Sequence, residues 1–148
     1  IDHSNDERII KMKNRLLSVF SDRPRLTPDF ITTLQPDEVF VFGSNIQGMH
    51  GGGAALFAWR RFGAVLGQGE GLQGQSYALP TMEGPAALAA AVGRFIDCAR
   101  EHPELTFLVT AIGCGIAGYT PEEVAPLFRP ALSLPNVYLP RDFIRLLQ

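Results

Sequence analysis

Lysine is almost absent from this sequence, in which Lys11 and Lys13 are the only lysines among 148 residues. Beyond residue 13, no lysine can serve as a P-loop phosphate ligand, a Schiff-base nucleophile or a general base. Cysteine is equally scarce, because Cys98 and Cys114 alone cannot form a disulfide scaffold. These two cysteines favour a reducing environment, and we therefore expect a cytoplasmic location.

The sequence also lacks long apolar runs and a strong charge of one sign. No apolar run approaches the roughly 20 residues that a membrane helix needs, so we expect no membrane partner. The 13 basic and 15 acidic residues give a net charge of −2, which argues against a surface that wraps duplex DNA. Hydrophobic residues make up 46% of the chain, which predicts a folded domain with a real core.

Residues 1–25 are predicted to form an N-terminal amphipathic helix that packs on or flanks the domain. Ser4 or Asn5 can cap this helix, and Pro24 ends it. One apolar stripe follows helical spacing: Ile9, Met12, Leu16 and Phe20. The segment is rich in basic residues. We interpret them as the solvated face of the helix in preference to a nucleic-acid-binding arm.

Residues 26–148 show strands that alternate with helices. The predicted strands are Glu38–Gly43, Ser76–Leu79, Thr106–Ile112 and Val137–Leu139. The predicted helices are Ala54–Phe62, Pro85–Glu101, a helix after Thr120 that Pro126 shortens or kinks, and Pro140–Leu147. This alternation predicts an α/β fold, a three-layer α/β/α sandwich with a mixed, largely parallel central sheet. Ligands of such sheets bind at the loops beyond the carboxyl ends of the strands.

The first candidate loop follows the predicted strand at 38–43 and contains the glycine run Gly51, Gly52 and Gly53. The loop has neither the GxGxxG pattern nor the lysine of a Walker loop. Three consecutive glycines lose much conformational entropy on folding, and a simple strand-to-helix connection does not need three glycines. We therefore favour a loop whose backbone N–H groups approach an anionic ligand.

The second candidate loop runs from Ala111 to Tyr119 and leads into a helix with a predicted capping box, Thr120 and Glu123. A helix N-terminus behind small residues suits a phosphate. Tyr119 could stack on a ring or lie against a sugar, or be a half-buried tyrosine with a bonded hydroxyl. Backbone N–H dipoles would lower the pKa of Cys114, although a catalytic pair with His50 is the less favoured interpretation.

Between these loops lies a polar, glycine-rich segment that contains Glu70. This segment is expected to be too polar and flexible to belong to the core. The Glu70 carboxylate could bond a ligand hydroxyl, but a loop-holding or simply exposed carboxylate is favoured on the residues alone. No pair of His, Cys, Asp or Glu has a recognisable metal-ligand spacing, so we expect neither a metal nor a cofactor.

Taken in order, three motifs resemble those of the macrodomains, the ADP-ribose-binding α/β modules. They are Val39–Asn45 followed by Gly51–Gly53, then Gly69–Gly71 followed by Ser76–Pro80, and finally Ile112–Pro121. The similarity covers about residues 29–128 and preserves both order and spacing. The chain resembles a short, divergent member, because Gly113 and Cys114 replace the usual pair of hydroxyl residues.

The resemblance implies that ADP-ribose, or a related NAD-derived nucleotide, lies along a crevice between the two glycine loops. Asn45 would face the distal ribose, and Asp29 is the nearest match to the family's aspartate beside the adenine. The implied ligand-binding residues are Asp29, Gly43, Ser44, Asn45, Gly51, Gly52, Gly53, Gly113, Cys114, Gly115, Ile116, Ala117, Gly118 and Tyr119. An ADP-ribosylated macromolecule is the implied larger partner.

Catalysis is the point on which the sequence departs from the hydrolytic macrodomains. In that class an aspartate follows the glycine cluster by two positions, where this sequence has Ala55. Asn45, His50 and Glu70 are then the remaining catalytic candidates. A binding module and a hydrolase of ADP-ribosyl groups or of phosphorylated ADP-ribose, using His50 or Glu70, both stay open. A regulatory protein whose basic N-terminal helix contacts a partner is the third alternative. We expect reversible binding with weak or no turnover.

Overall fold

The computed structural model describes residues 7–12 and 25–148. The strands are β1 (Glu38–Ser44), β2 (Gly71–Gln73), β3 (Ser76–Pro80), β4 (Thr106–Val109) and β5 (Val137–Tyr138). The helices of the domain are α1 (Gly53–Arg61), α2 (Pro85–Glu101), α3 (Pro121–Val124), a 3₁₀ helix (Ala125–Ser133) and α4 (Arg141–Leu147). The order of these elements confirms the predicted alternation of strands and helices.

The five strands form one sheet in the order β2-β3-β1-β4-β5. Strand β1 pairs in parallel with β3 and β4, and β4 pairs in parallel with β5. Strand β2 pairs antiparallel with β3 and makes the sheet mixed. The sheet is therefore mixed and largely parallel, as predicted. Strand β2 was not predicted, because it has three residues and no apolar alternation.

Successive side chains of β1 point to opposite faces of the sheet and so belong to two different hydrophobic clusters, one on each face. Val39 and Val41 belong to the cluster that α2, the 3₁₀ helix and α4 cover. Phe40 and Phe42 belong to the smaller cluster, which α1 covers with Ala55 and other small or aromatic residues. The domain thus has three layers. Full burial of a side chain such as Phe42 contributes roughly 1.5–3 kcal/mol to stability.

Helix α2 follows its sequence pattern closely. It begins with Pro85 at the first helical position and ends at Glu101, at both of the predicted bounds. The predicted stripe is buried in full: Leu88, Val92, Phe95, Ile96 and Ala99. This helix covers the larger hydrophobic cluster and anchors the face opposite α1.

The capping box at α3 is confirmed by two reciprocal hydrogen bonds. The Glu123 N–H donates to Thr120 Oγ1 at 3.3 Å, and the Thr120 N–H donates to Glu123 Oε1 at 3.0 Å. The α-helix lasts four residues and then continues as a 3₁₀ helix that contains Pro126. The predicted shortening is therefore confirmed, because proline has no backbone N–H to continue the α-helical pattern.

Strand β4 ends at Val109, three residues earlier than predicted. The Thr110 hydroxyl donates to the Val41 carbonyl at 2.7 Å, and the Ile112 N–H turns back to the Thr110 carbonyl at 2.7 Å. This tight turn ends the pairing of β4 with β1, and the second glycine loop follows it.

The N-terminal segment is described over residues 7–12, which are helical. Ile9 and Met12 are 49% and 59% exposed, and Lys11 Nζ forms an ion pair with Asp37 Oδ1 at 3.0 Å. The other residues of the predicted helix lie outside the described residues: Ser4, Asn5, Leu16, Phe20 and Pro24. None of the helices in the described ranges combines the length and apolar character needed to cross a bilayer.

Candidate functional site

A cavity of about 210 Å³ opens at the carboxyl ends of β1, β3 and β4. Strand β3 pairs with one side of β1 and β4 pairs with the other side, so the cavity lies where the strand order reverses. We call it the glycine cavity. Its lining residues are Gly43, Ser44, Asn45, Met49, Gly52, Gly53, Ala54, Ala55, Thr81, Met82, Thr110, Ala111, Gly113, Gly115, Ile116 and Ala117. The structure therefore brings both predicted glycine loops to one site.

Asn45 lines the glycine cavity, but its side chain also organises the first loop. Its Oδ1 accepts a hydrogen bond from the Met49 N–H at 2.9 Å, and its Nδ2 donates to the Met49 carbonyl at 3.3 Å. The buried hydroxyl of Ser44 donates to the Gly69 carbonyl, so the end of β1 is held to the segment that precedes β2. The loop is thus closed by its own polar residues.

The segment around Gly69 packs tightly against this first loop. A Cβ atom on Gly69 would lie 2.3 Å from the Asn45 carbonyl oxygen, and one on Gly48 would lie 2.4 Å from the Gln68 nitrogen. Gln73 is buried, and its Oε1 accepts from the Val65 N–H at 2.7 Å. The segment contributes no buried residue to either hydrophobic cluster, in agreement with a segment outside the core, but buried amide hydrogen bonds and close glycine contacts pack it against the first loop.

The glycine run at the start of α1 faces open space. Cβ atoms built on Gly51, Gly52 and Gly53 would meet no atom within 4 Å, so packing within the described protein does not require glycine there. Gly52 and Gly53 line the cavity, whereas Gly51 does not. In the described part of the chain, the N–H groups of residues 53–55 donate no hydrogen bond. The N–H groups of a first helical turn have no acceptor within their own helix, and no other group of the described residues accepts from these three.

The second loop presents a similar set of free donors. Gly115, Ile116 and Ala117 line the cavity, and their N–H groups donate no hydrogen bond within the described ranges. The loop is closed by the Gly118 N–H, which donates to the Gly115 carbonyl at 3.0 Å. Two loops from different strands thus place unengaged backbone donors around one cavity.

Tyr119, Gly118 and Cys114 do not line the glycine cavity. The Tyr119 ring lies against Gly113, where a Cβ would be 3.1 Å from Tyr119 Cδ2. Cys114 is half-buried and its thiol donates to the Ile112 carbonyl at 3.5 Å. Burial, followed by the negative charges of Glu122 and Asp142, raises the pKa of the Cys114 thiol. The expected lowering of that pKa is therefore wrong, because desolvation outweighs any effect of the backbone dipoles.

His50, a catalytic candidate from the sequence, does not line the glycine cavity. It is 1% exposed and makes an edge-to-face contact with the Phe42 ring, with 5.2 Å between centroids. Neither ring nitrogen has a hydrogen-bond partner among the residues that the structure describes. The neighbouring Met49 is 71% exposed, so the turn directs Met49 outward and His50 into the core. No Cys114–His50 pair exists in this arrangement.

Glu70 is occupied by a bidentate ion pair with Arg94 of α2. The distances are 2.5 Å from Arg94 Nε to Glu70 Oε2 and 3.0 Å from Nη2 to Oε1. The hydrogen bond with Glu70 raises the pKa of Arg94. Glu70 does not line the cavity. The Glu70 carboxylate was predicted to bond a ligand hydroxyl, to hold the loop or to be simply exposed. The ion pair with Arg94 supports the role of holding the loop.

A second, wider cavity of about 510 Å³ adjoins the first and shares Thr110 and Ala111 with it. We call it the wide cavity. Asp29 lines it, together with Phe30, which is 90% exposed, and Arg141. Asp29 follows an isolated bridge between Leu26 and Leu139 rather than the early strand that the resemblance implies. The structure therefore separates Asp29 from the glycine loops but keeps it beside the same crevice.

Two threonines of the site, which follow β3 and β4, were not among the residues predicted from the sequence. Thr81 and Thr110 line the glycine cavity, and both hydroxyls donate to carbonyls of β1, at 3.2 Å and 2.7 Å. A polar residue directly after a buried parallel strand is the signal that could have identified them. Among the described residues, no cluster of three His, Cys, Asp or Glu could hold a metal ion.

The fold and the site define the class of this protein: an α/β domain with a crevice at the carboxyl ends of its parallel strands. No known protein family, curated protein or solved structure matches the chain. The function is therefore argued from the crevice itself.

Proposed function

We propose that this protein reversibly binds ADP-ribose or a related NAD-derived nucleotide. The observation that carries the proposal is the meeting of two glycine loops, distant in sequence, around one cavity beside a wider one. A ligand with a diphosphate between an adenosine and a second ribose matches this arrangement of two adjoining cavities. The diphosphate would occupy the glycine cavity, and the adenosine would extend past Thr110 into the wide cavity.

The free backbone donors support an anionic group in the glycine cavity. The N–H groups of residues 53–55 and 115–117 are unengaged in the described part of the chain and belong to cavity-lining residues. Oriented N–H groups at a loop and at the start of a nine-residue helix stabilise a phosphate without a lysine. This agrees with the absence of lysine after residue 13.

The lining of the glycine cavity favours binding over hydrolysis. It contains no Asp, Glu, His, Lys, Cys or Tyr, and it includes Ala55, which the macrodomain resemblance aligns with the aspartate of the hydrolytic class. His50 is buried and Glu70 is paired with Arg94, and neither side chain lines the glycine cavity. General acid–base assistance typically contributes about 10²–10⁴-fold to a rate, and no side chain of this lining supplies it.

The ligand can be free or attached to a macromolecule, because both present the same diphosphate. An attached ADP-ribosyl group would leave its distal end at the rim, beside the exposed side chains of Met49 and Ile116. Binding of an ADP-ribosylated protein with an affinity similar to that of free ADP-ribose would identify the attached group as a ligand as well.

Calorimetric titration with ADP-ribose and with AMP tests the proposal. We expect ADP-ribose to bind at least about tenfold more tightly than AMP, because only ADP-ribose has a diphosphate that contacts both loops. Chromatography of the mixture should show ADP-ribose unchanged, and a protein modified on aspartate or glutamate should keep its ADP-ribosyl group. Equal affinity for ADP-ribose and AMP would contradict the loop assignment, and rapid release of the modification would place the protein among the enzymes.

A further inference from the structure

The wide cavity contains two opposite charges that are not paired with each other. Asp29 and Arg141 both line it, and within residues 7–12 and 25–148 neither side chain makes a hydrogen bond or an ion pair. The hydroxyls of Thr27 and Thr110 are already used, because they donate to the Val109 and Val41 carbonyls at 2.7 Å each. The charged groups that remain available to an occupant are thus one carboxylate and one guanidinium.

The position of Arg141 is not explained by the stability of its own helix. Arg141 is the first residue of α4, where the partial positive charge of the helix N-terminus disfavours a cation. The other charged residues of α4 follow the favourable pattern, since Asp142 lies in the first turn and pairs with Arg145 at 3.1 Å. Arg141 is exposed and unpaired on the wall of a cavity, so its guanidinium is available to an anion.

We infer that Arg141 selects an ADP-ribose that carries an additional phosphate on the adenosine ribose. The inference rests on the proposed function, which places the diphosphate in the glycine cavity and the adenosine in the wide cavity. The ribose of the adenosine then lies in the same cavity as Arg141. A guanidinium matches a phosphate through two parallel hydrogen bonds, and an arginine commonly distinguishes the 2′-phosphorylated form of a dinucleotide from the plain one. Asp29, which also lines the wide cavity, is left to accept from the amino group of the base.

The test compares three ligands by calorimetry: ADP-ribose, 2′-phospho-ADP-ribose and ADP-ribose 1″-phosphate. The last two each carry one additional phosphate, but at opposite ends of the molecule. We expect the 2′-phosphorylated ligand to bind about tenfold more tightly than ADP-ribose, and the 1″-phosphorylated ligand to show no such gain. Arg141→Gln should reduce the preference to within about twofold, and Arg141→Lys should keep part of it because the charge remains without the planar fork.

Arg145→Gln is the matched control, since it removes an arginine of the same helix that is paired outside the cavity. It should leave the preference intact, and all variants should keep the thermal midpoint of the native protein. If ADP-ribose binds but the native protein shows no preference, or if the preference survives Arg141→Gln, the inference fails while the proposed function stands. If none of the three ligands binds, the proposed function itself fails.

Discussion

Several polar and charged side chains near the glycine cavity hold its loops in place. Asn45 closes its own loop through Met49, and Glu70 secures the middle segment to Arg94. Around the glycine cavity the protein therefore offers backbone and small residues, with its acids and bases directed elsewhere. Affinity in such a site depends on open space and free N–H groups, which makes glycine the residue type to test.

Gly115→Glu should abolish tight binding of ADP-ribose while leaving the fold intact. Its backbone is not left-handed, and a Cβ there would meet no atom within 4 Å, so a side chain can be added without strain. The added carboxylate would occupy the cavity and repel the diphosphate, so we expect the Kd to rise about 30-fold or more. Calorimetry measures the affinity, and urea unfolding measures the stability.

Gly93→Glu is the matched control for this variant. Gly93 lies on the exposed side of α2, and a Cβ there also meets nothing within 4 Å. It introduces the same charge far from the glycine cavity and should leave the affinity unchanged. A Gly115→Glu protein that fails to fold would show that this glycine is required by the backbone rather than by the ligand.

His50→Leu should stabilise the protein by about 1 kcal/mol, because it removes two buried nitrogens that lack partners among the described residues. The affinity for ADP-ribose should change by less than about twofold, since His50 does not line the cavity. Urea unfolding and calorimetric titration measure the two quantities.

The same substitution at His102 gives the comparison. His102 Nδ1 lies 2.8 Å from the Cys98 carbonyl, a hydrogen bond that His102→Leu would remove, so this variant should lose about 1 kcal/mol of stability. A loss of stability in His50→Leu similar to that in His102→Leu would show that the His50 ring has partners in solution. A loss of ADP-ribose binding would assign His50 to the site.

At the scale of elements, the crevice depends on loops that are fixed by contacts outside themselves. The loop after β1 is packed against the segment before β2, and the loop after β4 leads into a helix with a complete capping box. Pre-organised loops lose little conformational entropy when a ligand binds, which favours affinity. The segment before β2 therefore contributes to the site although it contains no residue of the cavity lining.

Gly69→Ala should weaken both the fold and the binding. The added Cβ would lie 2.3 Å from the backbone oxygen of Asn45, so the first loop must move. We expect a loss of about 1–3 kcal/mol of stability from this overpacking and about tenfold weaker binding of ADP-ribose. Gly51→Ala is the control, since a Cβ there meets nothing within 4 Å, and it should change neither quantity appreciably. Equal effects of the two variants would contradict the packing argument.

At the scale of the whole molecule, the site is a consequence of the strand order. Strand β1 lies at the centre, with β3 on one side and β4 on the other, so the loops after β1 and β4 lie side by side and enclose one cavity. The wide cavity adjoins it because Thr110 and Ala111, just after β4, line both. A ligand that spans the two cavities would contact loops from three strands at once.

The sequence by itself determined the features that depend on neighbouring residues. The continuous apolar run of β1, the one-sided stripe of α2 and the Thr120–Glu123 capping box are local patterns, and the structure confirms each of them. The two glycine loops were also located from sequence, because a glycine cluster between a buried strand and a helix needs no knowledge of distant residues. The α/β fold class followed from the alternation of these local elements.

Only the tertiary structure decided which side chains reach the crevice. Met49 and His50 are neighbours in sequence, yet one is exposed at the cavity and the other is buried beside Phe42. Glu70 meets Arg94 across 24 positions of sequence, and β2 exists as a strand only because β3 is there to pair with it. These outcomes depend on contacts between residues far apart in the chain. Local periodicity carries no information about such contacts, because they form only when the sheet and its helices have packed.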